Sequence, residues 1–294
     1  MEWLKEYADG VRLVVSDLNG SYNETIKNLV EKVNKIAKEA FKPKFVAVYP
    51  FRENYGQSKL IDQSLLNINA DIVSNPVELT KLFKNLYTEN NPKPAFVLGD
   101  FKSQRLSEKI KDESLLNLYH SIVLLLKGTP IVLYGDEIEL NQNDEFMKWN
   151  NENNCGFSSS NVSKQANCDN NVRKKLARGE TLPRIYKKLS ALRQEPSFSW
   201  GAISFPENNQ QNGLVSFVRK ADGFDGYLVV ANTGKSESAV DFRSLFKNLN
   251  SQATVEYFYS NNNNFKNDFK FNDTIQLNNI YLKQGELLVT KFSN

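Results

Sequence analysis

Long apolar runs are missing from this 294-residue sequence. No stretch of eighteen or more apolar residues occurs, so we expect none of its segments to span a membrane by itself. The first ten residues, MEWLKEYADG, lack the basic-then-apolar order of a secretory signal. A Gly-rich phosphate-binding loop is also absent. The location of the protein therefore has to be inferred from other features.

Histidine is nearly absent as well. The single histidine, His120, lies inside the apolar run LLNLYHSIVLLL, where a helical packing position is favoured over a metal ligand or a general base. One histidine cannot support a Ser-His-Asp triad, nor a typical zinc site without several cysteines. The sequence predicts no metal site and no cofactor.

Neither sign of charge is in excess. The 37 Lys and Arg residues against 34 Asp and Glu residues give a net charge of +3. These charges are spread along the whole chain, so no basic face indicates nucleic-acid binding. Hydrophobic residues make up 40% of the sequence, which predicts one large folded domain, or a large domain with a small one.

Cysteine is scarce, with only Cys155 and Cys168 in the sequence. Their close spacing in a polar segment favours one local disulfide in an oxidising compartment, but it also suits two free thiols. Because the sequence is rich in asparagine, roughly four N-glycosylation sequons are expected by chance, so their number does not indicate secretion. The sequons begin at Asn19, Asn23, Asn161 and Asn272.

The first 200 residues alternate short apolar strands with longer amphipathic helices. This rhythm indicates parallel strands joined by crossover helices. The predicted strands are Gly10–Asp17, Lys44–Phe51, Ala95–Asp100 and Thr129–Glu137, and the predicted helices are Asn23–Phe41, Asn75–Tyr87, Ser114–Lys127 and Thr181–Glu195.

The character of the sequence changes near residue 200. From Leu214 onward, short alternating runs such as LVSFVRK and GYLVVANT are separated by Gly, Asn and Asp. This pattern is typical of an antiparallel β-sandwich. We therefore predict an α/β part over residues 1–200 and a β-sandwich over residues 201–294.

Two stretches carry a resemblance to a known family. Residues 124–140, LLLKGTPIVLYGDEIEL, and residues 145–160, EFMKWNNENNCGFSSS, resemble the last barrel strand and the following loop of the α-amylase superfamily, in its oligo-α-glucosidase branch. The resemblance implies an α/β fold, the C-terminal part of a (β/α)₈ barrel from about its fourth strand onward, followed by the sandwich. It also implies active-site groups at the carboxyl ends of the strands, whereas the acid pair matched by Asp136 and Glu137 is largely structural in that family.

The resemblance also implies where catalytic carboxylates would stand. Retaining glycosidases use one carboxylate as nucleophile and a second carboxyl group as acid/base, and the family adds a third that grips the sugar. Here Val14 stands at the nucleophile position, and Val48 or Tyr49 at the acid/base position. Lys102 stands at the third position, with reversed charge. We therefore expect no glycosidase activity.

Some neighbouring residues could preserve part of such a site. Arg12 and Arg105 match family positions, and they are candidates for a vestigial sugar site. The nearby acids Asp17, Glu53 and Asp100 are poor substitutes for the lost carboxylates, because catalytic geometry tolerates little displacement.

A glycosidase-like barrel without its carboxylates, followed by a sandwich, resembles the heavy subunits of heteromeric amino-acid transporters, which are type II membrane glycoproteins. The resemblance implies a non-catalytic ectodomain on the extracellular side of the plasma membrane. It would bring a multi-span light subunit to the cell surface and stabilise it. In that family a cysteine beside the membrane helix tethers the light subunit through a disulfide.

The register of the resemblance places Gly10 on the fourth barrel strand. The membrane helix, the tethering cysteine and the first three strands are thus expected outside this sequence. An open barrel exposes a strand edge near residues 10–17, so we expect the chain alone to be poorly stable. The alternative function is a catalytically inactive, secreted, maltase-like carbohydrate-binding protein, and an active α-glucosidase is the least favoured.

Overall fold

The computed structural model divides the chain into two compact units. One unit contains Met1–Asn67, Asn85–Val97 and Gly128–Ile131, and the other contains Ile68–Lys84, Leu98–Lys127 and Val132–Asn294. The predicted boundary at residue 200 stays a prediction. The structure describes residues 6–14, 28–29, 31–33, 35–36, 39, 44–49, 63–68, 70–73, 75–87, 93–99, 105–141, 143, 146–159, 167–179, 181–206, 213–246, 249–261 and 269–293.

A five-stranded sheet has the strand order β1-β2-β3-β4-β5. Its described pairings are parallel, as the strand and helix rhythm predicted. Ala47 and Ala95 are buried and pack with Ile131. The third strand was not predicted, because its segment QSLLNI shows neither alternation nor a continuous apolar run. The strands are β1 Gly10–Val14, β2 Phe45–Tyr49, β3 Gln63–Ile68, β4 Lys93–Leu98 and β5 Thr129–Ile131.

Most of the predicted helices are present. The longest, α4, begins after Asp112, whose carboxylate accepts hydrogen bonds from Ser114 N and Leu115 N and so caps the helix. The predicted helix Asn23–Phe41 is described only in part, with helical residues between 28 and 39, and α5 was not predicted. The helices are α1 Ala70–Val73, α2 Pro76–Leu86, α3 Leu106–Lys109, α4 Glu113–Leu125, α5 Val172–Ala177, α6 Leu182–Leu192 and α7 Pro196–Ser199.

Antiparallel strands make up the last third of the chain. Six of them form a sheet in the order β11-β10-β13-β8-β7-β6, and β12 pairs with β9 in a second sheet. Leu228, Val230, Val255 and Leu288 lie in the buried core of this part. The strands are β6 Ala202–Ser204, β7 Leu214–Lys220, β8 Gly226–Asn232, β9 Ser238–Val240, β10 Gln252–Tyr259, β11 Thr274–Gln276, β12 Ile280–Leu282 and β13 Leu287–Phe292.

Two arginine side chains donate hydrogen bonds to carbonyl groups at the carboxyl end of α4. Arg219, on β7, is wholly buried, and its guanidinium donates to Leu125 O at 3.1 Å and to Phe198 O at 2.7 Å. Arg193 donates to the carbonyls of Leu124 and Leu126. The last carbonyls of a helix have no partner within the helix, so these side chains supply hydrogen bonds that the backbone cannot.

Over the ranges given above, no helix is both long and apolar enough to cross a bilayer.

Candidate functional site

Two of the predicted catalytic positions are neighbours at the carboxyl ends of two paired parallel strands. Val14 is the last residue of β1 and Tyr49 is the last residue of β2, and the register pairs Val14 with Tyr49 and Leu13 with Val48. Since the carboxyl ends of parallel strands lie at one edge of a sheet, these are the strand ends where a barrel enzyme places its reactive groups. Val14 is 50% exposed and carries no ionisable group.

The third predicted position lies outside the described residues. The described part of β4 and its turn ends at Gly99, and the description resumes at Arg105, so Lys102 is not included. The same holds for the acids that were weighed as substitutes, Asp17, Glu53 and Asp100.

Arg105 is held by an internal ion pair. Its Nη1 lies 2.9 Å from Asp136 Oδ1, and the exposed fractions of the two side chains are 16% and 8%. Asp136 Oδ2 also accepts a hydrogen bond from Leu133 N at 3.1 Å. Burial raises the pKa of the Asp136 carboxyl to about 6, although the Arg105 guanidinium opposes this shift. Arg105 and Asp136 thus form an ion pair that fixes both side chains, and this geometry indicates a structural role.

The second predicted arginine differs from the first in its exposure. Arg12 lies in the middle of β1 and is exposed. It belongs to the first compact unit, whereas Arg105 belongs to the second. The joint role of the two arginines in a sugar site therefore stays a prediction.

His120 occupies a packing position on α4. It is buried, and its Nδ1 lies 2.7 Å from the Tyr186 hydroxyl. Complete burial lowers the pKa of the imidazole to about 3, so the ring is neutral at physiological pH. Within the described part of the chain, no group of three or more His, Cys, Asp or Glu residues could hold a metal ion.

Sequence reasoning missed a buried charge cluster. The Lys175 ammonium is buried and contacts the carboxylates of Glu113, at 2.9 Å, and Glu139. Glu139 follows the short 3₁₀ helix Asp136–Ile138 and has a φ of 57°. Because the three residues are far apart in the sequence, no local pattern signals this cluster.

The loop after β5 is fastened by a disulfide. Cys155 and Cys168 are joined, and Cys155 O accepts hydrogen bonds from Trp149 N and Asn150 N. Trp149 itself is about half exposed. Of the four sequons, those at Asn19, Asn23 and Asn161 lie outside the described residues, whereas Asn272 lies in an exposed turn.

Solved structures of a hydrolase and a synthase share the fold of this chain. Bacillus licheniformis trehalose-6-phosphate hydrolase superposes with a TM-score of 0.72 at 13% identity, over 100% of this chain and 67% of that chain. Isomaltulose synthase from Klebsiella sp. LX3 gives a TM-score of 0.67 at 13% identity, over 90% of this chain and 58% of that chain. The chain thus has the C-terminal part of a (β/α)₈ glycosidase-like barrel followed by an antiparallel β-sandwich.

In sequence, the chain is related to the heavy chains of amino acid transporters. It is 27% identical to amino acid transporter heavy chain SLC3A1 of Mus musculus in an alignment of 232 residues, which covers 70% of this chain and 32% of that protein. It is 32% identical to SLC3A2 of Rattus norvegicus in an alignment of 126 residues, which covers 40% of this chain and 23% of that protein. The chain thus spans about a third or less of these curated relatives. No protein-family profile matches it.

Proposed function

We propose that this chain is part of the non-catalytic ectodomain of a heteromeric amino-acid transporter heavy chain. In this role it supports the trafficking and stability of a multi-span light subunit. The observation that carries the proposal is the similarity to transporter heavy chains in a chain with a glycosidase fold.

The residues at the strand ends support the absence of catalysis. A retaining mechanism needs a nucleophile and an acid/base carboxyl on opposite sides of the scissile bond. The paired strand ends carry Val14 and Tyr49, neither of which provides a carboxylate. Together with Lys102 at the third position, these residues leave a barrel scaffold without the acids that glycoside cleavage requires.

The carbohydrate-binding alternative has weaker support. It relies on Arg12 and Arg105 as vestigial sugar contacts, yet Arg105 is mostly buried and is directed at Asp136. A guanidinium that is engaged in this way offers little surface to a ligand.

The disulfide supports an extracellular location. Disulfides such as Cys155–Cys168 persist in oxidising compartments, which agrees with an ectodomain at the plasma membrane. Both cysteines of the sequence are used in this bond. In this proposal, the tether to the light subunit and the membrane anchor of a type II glycoprotein are supplied by regions outside this sequence.

The partnership can be tested in the source cells. An antibody against this chain would be used to recover it from detergent-solubilised membranes, and the recovered proteins would be identified by mass spectrometry. We expect a multi-span transporter in comparable molar amount, and lower surface levels of that transporter after depletion of this chain. Recovery of the chain alone, with unchanged amino-acid uptake after depletion, would refute the proposal.

A second assay separates the alternatives. The purified chain would be titrated with maltose by calorimetry and incubated with p-nitrophenyl α-glucoside, with an active α-glucosidase as control. We expect neither binding nor hydrolysis. Saturable maltose binding would favour the carbohydrate-binding protein, and hydrolysis would favour the enzyme.

A further inference from the structure

A cavity of about 540 Å³ lies in the second compact unit. Residues of α6 and β10 line it, together with Glu195, Phe269 and Phe271. Its volume falls in the range of roughly 300 to 1,000 Å³ that is usual for ligand pockets. Among the described residues that line it, four are aromatic and three are charged. The cavity thus offers both an apolar surface and ionic groups, and none of its lining residues belongs to the candidate site.

One face of α6 supplies two opposite charges to this cavity. Residues spaced by three, four and seven positions share one face of a helix, and the cavity is lined by Lys188, Ala191, Leu192 and Glu195. The helix ends at Leu192, but Glu195 N donates to Leu192 O at 3.1 Å, so a further turn brings Glu195 to the same side. Lys188 and Glu195 are exposed and are therefore accessible to a ligand.

A β-bulge brings Glu256 to the cavity beside Tyr257. Strands β10 and β13 pair Val255 with Thr290 and Tyr257 with Val289, so Glu256 is an extra residue in β10. Consecutive side chains of a regular strand point to opposite faces, whereas a bulge changes the direction of a side chain. Glu256 and Tyr257 accordingly both line the cavity.

The carboxylates of Glu195 and Glu256 lie close to the same phenol. Burial, followed by the charges of these two carboxylates, raises the pKa of Tyr227. Glu256 Oε2 is enclosed and lies 3.4 Å from Lys291 Nζ, which is longer than a usual hydrogen bond. Because the Glu256 side chain is still 21% exposed, the exposed part belongs to its other atoms. Two carboxylates thus approach each other at the cavity, where they can accept hydrogen bonds from a cationic group.

The Lys188 ammonium lies against an aromatic wall of the cavity. Its Nζ is 5.4 Å from the centre of the Tyr257 ring, within the distance at which a cation interacts with an aromatic face. Tyr257 follows Glu256 on β10, so this contact holds a positive charge near a carboxylate. An ammonium group has three N–H donors, so Lys188 can contact the ring and also donate to an anionic group of a ligand.

Aromatic rings form the apolar part of the cavity. The rings of Phe258 and Phe269 are nearly perpendicular, with centroids 5.2 Å apart, and both side chains are partly buried. The Phe271 side chain, by contrast, is 65% exposed. Single exposed aromatic residues are ordinary, but this residue borders the cavity and adds apolar surface that a ligand can cover.

We propose that this cavity binds a free α-amino acid with a large apolar side chain, such as phenylalanine. Glu195 and Glu256 accept hydrogen bonds from its ammonium group, Lys188 donates to its carboxylate, and the aromatic rings cover its side chain. An α-amino acid carries both charges and an apolar group on one carbon atom, so it matches all three features of the cavity. An amine would leave the Lys188 ammonium unmatched, an organic acid would leave the two carboxylates unmatched, and a neutral sugar would match neither charge.

The inference goes beyond the proposed function and does not depend on it, because it requires only residues of this chain. Binding of an amino acid by a chain that is recovered without a light subunit would refute the proposed function alone. Recovery of a light subunit with a chain that binds no amino acid would overturn this inference alone.

Calorimetry with the purified full chain and L-phenylalanine tests the site. We expect saturable binding of one molecule per chain. We also expect a higher melting temperature in saturating L-phenylalanine, because a ligand that binds only the folded state stabilises it. Glycine has the same charges but no side chain, so it should bind much more weakly. If L-phenylalanine neither binds saturably at millimolar concentrations nor raises the melting temperature, the proposal is wrong.

Analogues of the ligand test the charged contacts one by one. Phenethylamine lacks the carboxylate and 3-phenylpropionate lacks the ammonium group. Lys188→Met should weaken the binding of L-phenylalanine about fivefold without weakening that of phenethylamine. Glu256→Gln should weaken the binding of L-phenylalanine by a similar factor without weakening that of 3-phenylpropionate. Glu195→Gln, at an exposed position, should do the same without disturbing the contact between Glu256 and Lys291.

The matched control for these variants is Lys187→Met. Lys187 is exposed on α6 and is not among the residues that line the cavity, so this variant should keep the affinity of the parent chain for L-phenylalanine. If Lys188→Met weakened L-phenylalanine and phenethylamine equally, or no more than Lys187→Met does, the proposed contact with the ligand carboxylate would be refuted.

The aromatic wall is tested at Phe271. Phe271→Ser removes apolar surface from the cavity and should weaken the binding of L-phenylalanine several-fold, whereas Phe271→Tyr keeps a ring and should keep the affinity. Because Phe271 is mostly exposed, both variants are expected to fold. Unchanged affinity in Phe271→Ser would overturn the packing of the ligand on this ring.

Discussion

The Arg105 guanidinium and the Asp136 carboxylate lie 2.9 Å apart and are both largely buried. The two residues come from stretches that resemble active-site segments of glycosidases, namely the loop after β4 and the end of the last parallel strand. In this chain they form a contact that connects the start of α3 with the 3₁₀ helix after β5. The ion pair thus fixes these two segments of the second compact unit to each other.

The first prediction concerns pH. Burial raises the pKa of Asp136 from 3.8 to about 6, so between these values the folded state keeps a proton that the unfolded state has released. The contribution of Asp136 to the free energy of unfolding therefore falls as pH rises through that window. Urea denaturation at several pH values in this range should show the fall in the parent chain and not in Asp136→Asn. If the free energy of unfolding depended on pH in the same way in both proteins, the prediction would be wrong.

The second prediction concerns catalysis. Val14→Asp returns a carboxylate to the end of β1, but the paired strand end still carries Tyr49. Because a retaining mechanism needs both carboxyl groups, this variant should release no more p-nitrophenol from p-nitrophenyl α-glucoside than the parent chain does. Hydrolysis by the single variant would reveal a second carboxyl group that acts as acid/base, and the prediction that the acid/base carboxyl has been lost would then be wrong.

The third prediction concerns Arg219. Arg219→Met removes the donor from the buried carbonyls of Leu125 and Phe198, and it should lower the free energy of unfolding by about 3 kcal/mol or more. Chemical denaturation measures this loss. Arg178→Met is the matched control, because Arg178 is exposed. A similar loss of unfolding free energy in both variants would show that the buried hydrogen bonds of Arg219 contribute no more to stability than an exposed arginine does.

The fourth prediction concerns the buried lysine. Lys175→Met leaves the carboxylates of Glu113 and Glu139 without their shared ammonium. Because these side chains are 36% and 20% exposed, solvent compensates in part, and the fold should be destabilised by about 1 to 2 kcal/mol. The adjacent Lys174 only approaches exposed Asp169, at 3.4 Å, so Lys174→Met should change stability far less. Adding Glu113→Gln to Lys175→Met should recover part of the loss. Thermal unfolding of the three variants tests this order.

The fifth prediction concerns the disulfide. Replacing both Cys155 and Cys168 by serine opens a loop with a sequence separation of 13 and should lower the free energy of unfolding by about 2 to 4 kcal/mol. The native chain should show no titratable thiol before reduction and two afterwards. Free thiols in the non-reduced, unfolded chain would show that the bond does not form.

Sequence predicted the elements with strong periodicity. The run LVSFVRK corresponds to β7, Leu214–Lys220, and the predicted helix from Ser114 corresponds to α4. It failed for β3, QSLLNI, and for α5, VRKKLA, which are short and contain as many polar as apolar residues. Whether such short segments form a strand or a helix depends on their tertiary context, and this information is not local.

Only the positions of the candidate site that lie at strand ends could be predicted from the sequence. The strand pattern extended the two strands to Asp17 and Phe51, and the family resemblance gave Val14 and Val48 or Tyr49 as catalytic positions. In the structure, Val14 and Tyr49 end β1 and β2 and are paired in register. The pairing of Arg105 with Asp136 joins residues 31 positions apart, and the contact of Lys175 with Glu113 joins residues 62 apart. Only the folded backbone sets such distances.

The position of Arg219 has a consequence for synthesis on the ribosome. Arg219 follows Leu125, whose carbonyl it caps, by 94 residues, and translation adds roughly 5 to 20 residues per second. The end of α4 is therefore synthesised about 5 to 20 seconds before Arg219, the donor to Leu125 O. The hydrogen bond that Leu125 O accepts in the folded protein can thus form only after β7 has been synthesised.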